Sequence, residues 1–404
     1  MWEQIRANRI RSMMLVAAMA SLLLLIGYFL GVAFLGSAIG GLIMALAIWI
    51  VMTLVAFFQG DSIFLALSKA RKIKRDDHPR LYNVVEEMKI ASGLERMPDI
   101  YIIDDPALNA FATGRDPKRA SVAITSGLLQ KLNRDELQGV IAHEMAHVKN
   151  RDVLLMTLCG VLLGTIVILS WYITRMLFFS AMFGGRRSSG SGGGQAQVII
   201  LLVGIVLMIL APILAYLIYF AVSRKREYLA DASSAQYTRY PEGLASALEK
   251  LGASTAELKS ANQALAPMYI INPFRKKGKA ATDLSSTHPP ISERIRILRS
   301  MAGGASFADY NAAFSKIHKG GGSVVPQSAL AGAAAVGLRA AGPEAAPVEP
   351  EPGKVERTRE VSDLMWRMNN YRTITCDCGT KLKVPSKFKK ATVRCPHCGR
   401  INPV

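Results

Sequence analysis

Val140-Ile141-Ala142-His143-Glu144-Met145-Ala146-His147-Val148 is the stretch from which the rest of the chain can be read. Its apolar residues describe a buried helix. Its two histidines stand four apart, on one helix face and about 6 Å apart along the axis. Two imidazoles so placed suit a single zinc ion. Glu144, between them, can take a proton from zinc-bound water. The alternative is two unrelated histidines, but a buried helix seldom holds two histidines and a glutamate unless they are paired. Asn133 is a candidate cap for this helix, with Asp135 and Glu136 in its first turn.

Upstream, Leu81–Ser92 has helical periodicity and Gly93 can close it. Asp99-Ile100-Tyr101-Ile102-Ile103-Asp104 reads as a strand. Asn109-Ala110-Phe111-Ala112-Thr113-Gly114 and Ser121-Val122-Ala123-Ile124-Thr125 read as two more, joined by a polar turn.

The chain has 404 residues, half of them hydrophobic, with mean hydropathy +0.24 and formal net charge +19. The apolar excess is concentrated in a few runs. Ser12 to Gly60 carries no charge and is too long for one span or a secretory signal. Gly36-Ser37 and Gly40-Gly41 interrupt it, giving a tight hairpin of two spans, Met13–Leu35 and Ala38–Phe58. Arg6, Arg9 and Arg11 on one flank, with Lys69, Arg71, Lys72, Lys74 and Arg75 on the other, place both ends in the cytoplasm. Val153–Thr174 and Val198–Val222 form a second candidate hairpin around the glycine-rich loop 184–194. Lys149, Arg151, Arg224, Lys225 and Arg226 favour its return to the cytoplasm; Arg175, Arg186 and Arg187 oppose it. A hairpin partly buried in protein is the alternative. A net positive charge beside membrane spans points to anionic lipid. Nucleic acid is the weaker fit, because no basic stripe interleaved with aromatics is present.

A catalytic zinc needs a third protein ligand and an open position. Glu227 is the best candidate. The histidine helix enters the second hairpin near Asp152 and the helix bearing Glu227 leaves it near Ser223, so a short hairpin sets the two side by side. His147 and Glu227 then lie within roughly 10 Å of the hydrocarbon boundary. A solvated pairing of Glu227 with Arg224 or Lys225 is the alternative. Asp231, one turn on, could accept the second ring N–H of a ligand histidine. His288, held in a rigid turn by Pro289 and Pro290, could donate to an oxyanion or serve as a simple cap.

These residues carry a resemblance. The chain resembles the HtpX-type membrane zinc peptidases, relatives of the CAAX prenyl proteases among the gluzincins, over about residues 1–300. The similar segments are Asn109–Gly114, His143–His147, Glu227-Tyr228-Leu229-Ala230-Asp231, and Ser286-Thr287-His288-Pro289-Pro290 with Glu293-Arg294-Ile295. The resemblance implies His143, His147 and Glu227 as zinc ligands, Glu144 as general base, and Asp231 supporting a ligand histidine. It implies His288 as transition-state donor and Arg294 supporting the cleft. Asn109, Ala110, Phe111, Ala112 and Thr113 would pair with an extended substrate backbone. Misfolded or surplus membrane proteins are the implied substrates. A signalling protease that cleaves one regulator, or a scaffold with structural zinc, are the rivals; Glu144 counts against the scaffold.

Four of the five cysteines, Cys376, Cys378, Cys395 and Cys398, form two knuckles around strand-like Lys381–Val384. They suit a closed structural zinc in a ribbon-like module. His397, between Cys395 and Cys398, is a candidate ligand that more readily faces solvent, and a redox dithiol at Cys395–Cys398 is the alternative reading. The fifth, Cys159, reads as a buried small hydrophobe.

The expected architecture is a mostly α membrane protein with two transmembrane helical hairpins, a cytoplasmic α+β zincin-like protease domain and a small zinc ribbon. Its divisions are 1–60 (first hairpin), 61–152 (first part of the protease domain), 153–222 (second hairpin), 223–302 (second part), 303–360 (a disordered Ala/Gly/Pro-rich linker) and 361–404 (the ribbon). Two zinc ions are expected, one catalytic and one structural. The expected location is the inner plasma membrane, as a multi-pass protein with a cytoplasmic active site. The linker lets the ribbon roam and recruit substrate or an adaptor.

Overall fold

A computed structural model describes residues 2–154, 156–157, 224–259, 268–271, 289–301, 303–318, 323–331, 336–339, 351–388 and 390–404, with isolated positions between 168 and 213. The chain opens on helix α1 (Trp2–Leu30), which passes through a π turn (Gly31–Leu35) into helix α2 (Ala38–Leu67). Ser37 caps α2 by accepting the Gly40 N–H at 3.1 Å. The two helices touch through glycine: a Cβ on Gly41 would lie 2.1 Å from the Gly27 carbonyl oxygen, so no larger residue allows so close a crossing. The two helices form a helical hairpin where the sequence expects one, with α1 starting before Met13 and α2 continuing past Phe58. Among the described residues, α2 is the one helix long and apolar enough to cross a membrane. It exposes Ile39, Ile43, Ile50, Val51, Leu54 and Phe58, an apolar surface that suits hydrocarbon. The second expected hairpin falls almost wholly outside the described residues. Within it, Ile168, Trp171, Val206, Ile209 and Ile213 are helical and exposed.

The α+β domain follows. Its four-stranded sheet comprises β1 (Arg71–Lys72), β2 (Asp99–Ile103), β3 (Ala110–Thr113) and β4 (Ser121–Thr125), in the order β1-β2-β4-β3. β2 and β4 run parallel, whereas β3 and β4 are antiparallel with Ala110 opposite Ile124. All four residues of β3 are buried although it is an edge strand, because α5 lies along it. Helix α3 (Pro79–Ser92) is closed by Gly93, as its sequence indicates, and starts two residues earlier than its periodicity suggests, capped by His78. The short helix α4 (Ser126–Lys131) leads to α5 (Arg134–Lys149), whose capping box joins Asn133 and Glu136. One core unites Leu81, Val84 and Val85 of α3, Ile100, Ile102 and Ile124 of the sheet, and Leu137, Val140 and Ile141 of α5.

Residues 224–238 form helix α6, and α7 (Pro241–Ala253) follows. The break falls at Arg239 (φ 54°) and Tyr240, because Pro241 has no N–H to continue the ladder but fits a first turn. Gly139 lets α5 cross α7 closely: a Cβ there would lie 2.6 Å from the Leu244 nitrogen. Helix α8 (Ile291–Arg299) completes the part read from sequence as protease domain.

The disordered linker expected from 303 is not what the structure shows. Helix α9 (Phe307–Ile317) starts at a Ser306–Asp309 capping box and buries Phe307, Tyr310 and Phe314. Helix α10 (Gln327–Ala331) follows. Helix α11 (Lys354–Met368) buries Val361 and Leu364 in the domain core and packs on α4. Arg71 donates to the Met368 carbonyl at 2.7 Å and Arg367 to the Asp77 carbonyl at 2.9 Å. The module beyond is therefore tied to the domain rather than free to roam. An average composition rich in Ala, Gly and Pro hides this, because what orders each helix is a few apolar residues spaced three and four apart. Residues 341–350 lie outside the described set. The tail ends in two antiparallel hairpins, β5 (Arg372–Thr375) with β6 (Lys381–Val384), and β7 (Thr392–Arg394) with β8 (Ile401–Pro403).

Candidate active site

α5 and α6 present the site to one another. His143 and His147 are one turn apart on α5, and their Nε2 atoms approach to 3.3 Å. Glu227, at the start of α6, places Oε2 3.5 Å from His143 Nε2 and Oε1 3.4 Å from His147 Nε2. The ligand atoms of all three lie within 4.8 Å of one another.

The outer ring nitrogens explain this convergence. His143 Nδ1 lies 3.0 Å from Asp231 Oδ1, and His147 Nδ1 lies 3.2 Å from Asp152 Oδ2. Each carboxylate holds the ring proton on Nδ1, so two Nε2 lone pairs and a carboxylate face one point. Acceptors converging in this way call for a cation, and the donor set fits zinc. Burial alone would lower the pKa of both histidines, but the carboxylates outweigh it. Asp231 and Glu227 raise His143, while Asp152 and Glu227 raise His147 to about 10. A cation in the cluster takes over the role of those protons.

Arg294 of α8 completes the back of the site. It is fully buried and grips Asp231 with two hydrogen bonds, Nε to Oδ2 at 2.8 Å and Nη2 to Oδ1 at 2.6 Å. Nη1 lies 3.6 Å from Glu227 Oε2. Despite burial, Arg294 and His143 hold Asp231 below the usual carboxylate range. The resemblance placed Arg294 as support for the cleft; its contacts are with the ligand cluster itself.

Glu144 is 1% exposed and lines a cavity of about 20 Å³ with Ala112, His147, Glu227, Met268 and Tyr269, room for a water-sized molecule. Burial pushes its carboxyl above the ordinary range, against the pull of His143 and His147, and the Ala112 backbone hydrogen-bonds it. A carboxylate made more basic in this way suits proton abstraction.

The substrate strand expected along Asn109–Thr113 is partly occupied by the chain itself. Ile270 donates its N–H to the Ala110 carbonyl at 3.0 Å, and Asn109 Nδ2 donates to the Ile271 carbonyl at 3.0 Å. Tyr269 meets Phe111 edge to face at 5.2 Å. Asn109 and Ala110 thus serve the fold, and Ala112 is the edge residue that reaches the cavity.

The sequence profile of peptidase family M48 matches residues 75–302. A protease HtpX homolog of Dictyoglomus turgidum is 44% identical over 300 residues, covering 74% of this chain and 94% of that protein. One from Streptococcus pneumoniae is 41% identical over 301 residues, covering 74% of this chain and all of its own length.

The chain belongs to peptidase family M48.

It is a metallopeptidase, and its catalytic zinc fits His143, His147 and Glu227. The crystal structure of S. mikatae Ste24p overlaps 74% of this chain and 67% of its own, with TM-score 0.40 and 20% identity.

Two parts of this M48 site were not singled out from sequence. Asp152 reads as a polar hairpin flank, but α5 ends at Lys149 with Asn150 as its cap, and Arg151 adopts φ 59°, which turns the chain back so that Asp152 reaches His147. The short segment 268–271 carries no motif, yet Met268, Tyr269 and Ile270 line the cavity. His288 lies outside the described residues.

In the tail, Cys376 and Cys398 place their Sγ atoms 3.6 Å apart, Cys378 and Cys395 3.7 Å apart, and all four converge within 4.8 Å. Each knuckle turns at a left-handed glycine, Gly379 or Gly399. Hydrogen bonds with Thr380 pull the Cys378 thiol down to about 5, favouring thiolate.

Proposed function

We propose that this chain is a membrane-embedded zinc endopeptidase working on the cytoplasmic side of the inner membrane, with misfolded or surplus membrane proteins as substrates. The observation that carries it is the pair of Nε2 atoms 3.3 Å apart with the Glu227 carboxylate facing both. Zinc held by these three residues would supply Lewis acidity and lower the pKa of a bound water. Glu144 is placed to accept a proton from an attacking water and to hand it to the departing amine. Asp231 and Asp152 keep the two histidines in the tautomer that ligates. Ala112 offers the β3 edge to an extended substrate backbone. His288 is the proposed donor to the oxyanion and Arg294 the counter-charge that keeps Asp231 ionised.

Placement near the membrane is supported by packing. A Cβ on Gly60 of α2 would lie 2.3 Å from Thr157 Cγ2, so the segment leaving the histidine helix runs against the membrane helix. Basic Lys69, Arg71, Lys72, Lys74 and Arg75 at the end of α2 favour the cytoplasmic side. A second hairpin spanning Val153–Val222 completes the proposed topology. Cys376, Cys378, Cys395 and Cys398 hold a structural zinc in the tail, whose basic surface is available to an adaptor or substrate.

Glu144→Gln tests the chemistry. The variant should keep its zinc and fold while hydrolysis of an unfolded membrane-protein substrate drops about a hundred- to ten-thousand-fold. Wild-type cleavage by the variant would remove Glu144 from the mechanism.

A further inference from the structure

The matched family profile ends at residue 302, and α9 lies just beyond it. This helix reaches the back of the metal site. His318, immediately after α9, places Nε2 3.0 Å from Glu293 Oε1, while its Nδ1 lies 3.2 Å from the Phe314 carbonyl. The Tyr228 hydroxyl donates to the same Glu293 oxygen. The His318 ring stacks on Phe314 with centroids 4.0 Å apart, and Tyr228 meets Phe314 edge to face at 5.0 Å. Tyr310, also on α9, is completely buried.

Each residue gripped by this cluster has a neighbour in the metal site. Tyr228 follows Glu227 on α6. Glu293 precedes Arg294 on α8, and Arg294 holds Asp231, which orients His143. α6 and α8 must keep their relative register for Glu227 and Asp231 to face α5 together. We propose that α9 and His318 are a positioning element for the metal site: by clamping Glu293 and Tyr228, they fix the third ligand. The proposal rests on the reading of Glu227 as that ligand. His318 acts through Glu293 and Tyr228 and does not touch the reacting atoms.

The test is zinc affinity of the full chain, read by chelator competition as the weaker of two zinc classes, the four-thiolate class being the tighter. His318→Ala should weaken that class about tenfold, as loss of groups behind a ligand does. Phe314→Leu should act in the same direction. His318→Gln keeps an N–H toward Glu293 and should recover most of the loss. Lys316→Ala, on the exposed side of α9, should match wild type. At saturating zinc the kcat of His318→Ala should return to normal with KM unchanged. Wild-type zinc affinity in His318→Ala and Phe314→Leu overturns the proposal, as does a loss that saturating zinc fails to reverse, the mark of a general fold defect. Glu227→Ala separates the two readings. If it leaves zinc binding intact, the ligand assignment fails; if it abolishes the weaker class while His318→Ala leaves that class at wild-type affinity, only the clamp fails.

Discussion

Replacing Leu364 by Ala should release α11 from the protease domain. Leu364 and Val361 are both fully buried in the domain core, and Met365 and Met368 pack partly against it. Burying the first two contributes about 1.5–3 kcal/mol each. α11 has 15 residues, a length at which a helix is marginal in water, so docking rather than propensity keeps it formed. Leu364→Ala should cost about 2–5 kcal/mol through lost transfer energy and the cavity left behind. A loss of about 3 kcal/mol lowers the docking constant more than a hundredfold. Amide hydrogen exchange across 354–368 in the detergent-solubilised chain reads this directly. Wild-type α11 should be protected, and the variant should exchange faster by roughly that factor while α5 keeps its protection. Free-peptide exchange of α11 in the wild type, or no change in the variant, would refute the docking and restore a roaming tail.

Asp152→Asn removes the carboxylate behind His147 and should weaken the catalytic zinc about 10- to 100-fold in chelator competition, with little change in melting temperature of the zinc-saturated protein. Arg294→Ala leaves Asp231 buried without its bidentate partner and should destabilise the domain by about 3–5 kcal/mol in denaturant unfolding. His78 caps α3 by accepting the Leu81 N–H; burial, then the charge of Arg80, hold its pKa down to about 4. Its folded value lies below the unfolded one near 6.5, so the contribution is complete above pH 6.5 and is lost as pH falls toward 4. Between pH 7 and 5 the wild type should lose about 2 kcal/mol that His78→Asn, which retains a cap, does not.

Much of the site could be read in the sequence because its parts are local. His143, Glu144 and His147 share one helix face, Glu227 and Asp231 another, and a four-residue spacing fixes each geometry. The cap at Asn133 acts within a turn and is legible, whereas the proline at 241 is not decisive, because it fits a first helical turn as well as a helix end. What escaped is non-local or hidden by averages. Asp152 reaches His147 only through a left-handed residue, Arg151, a conformation with no sequence mark outside glycine and asparagine. Ile270 occupies part of the β3 edge from a segment of no recognisable pattern. The ordered α9 sits in a stretch whose composition reads as linker, and α11 starts in that stretch and runs into the division read as ribbon, although Phe307, Tyr310 and Phe314, and Val361, Leu364 and Met365, carry a helical spacing.

Zinc K-edge absorption on the chain with Cys376, Cys378, Cys395 and Cys398 all changed to Ser examines the ligand set without the tail metal. It should give one zinc with nitrogen and oxygen neighbours at about 2.0–2.2 Å, two of them imidazoles, and no sulfur. Adding Glu227→Ala should strip one light-atom ligand and most of the occupancy. A full, unchanged first shell in the Glu227→Ala chain, or fewer than two imidazoles in its parent, would contradict a site built from His143, His147 and Glu227.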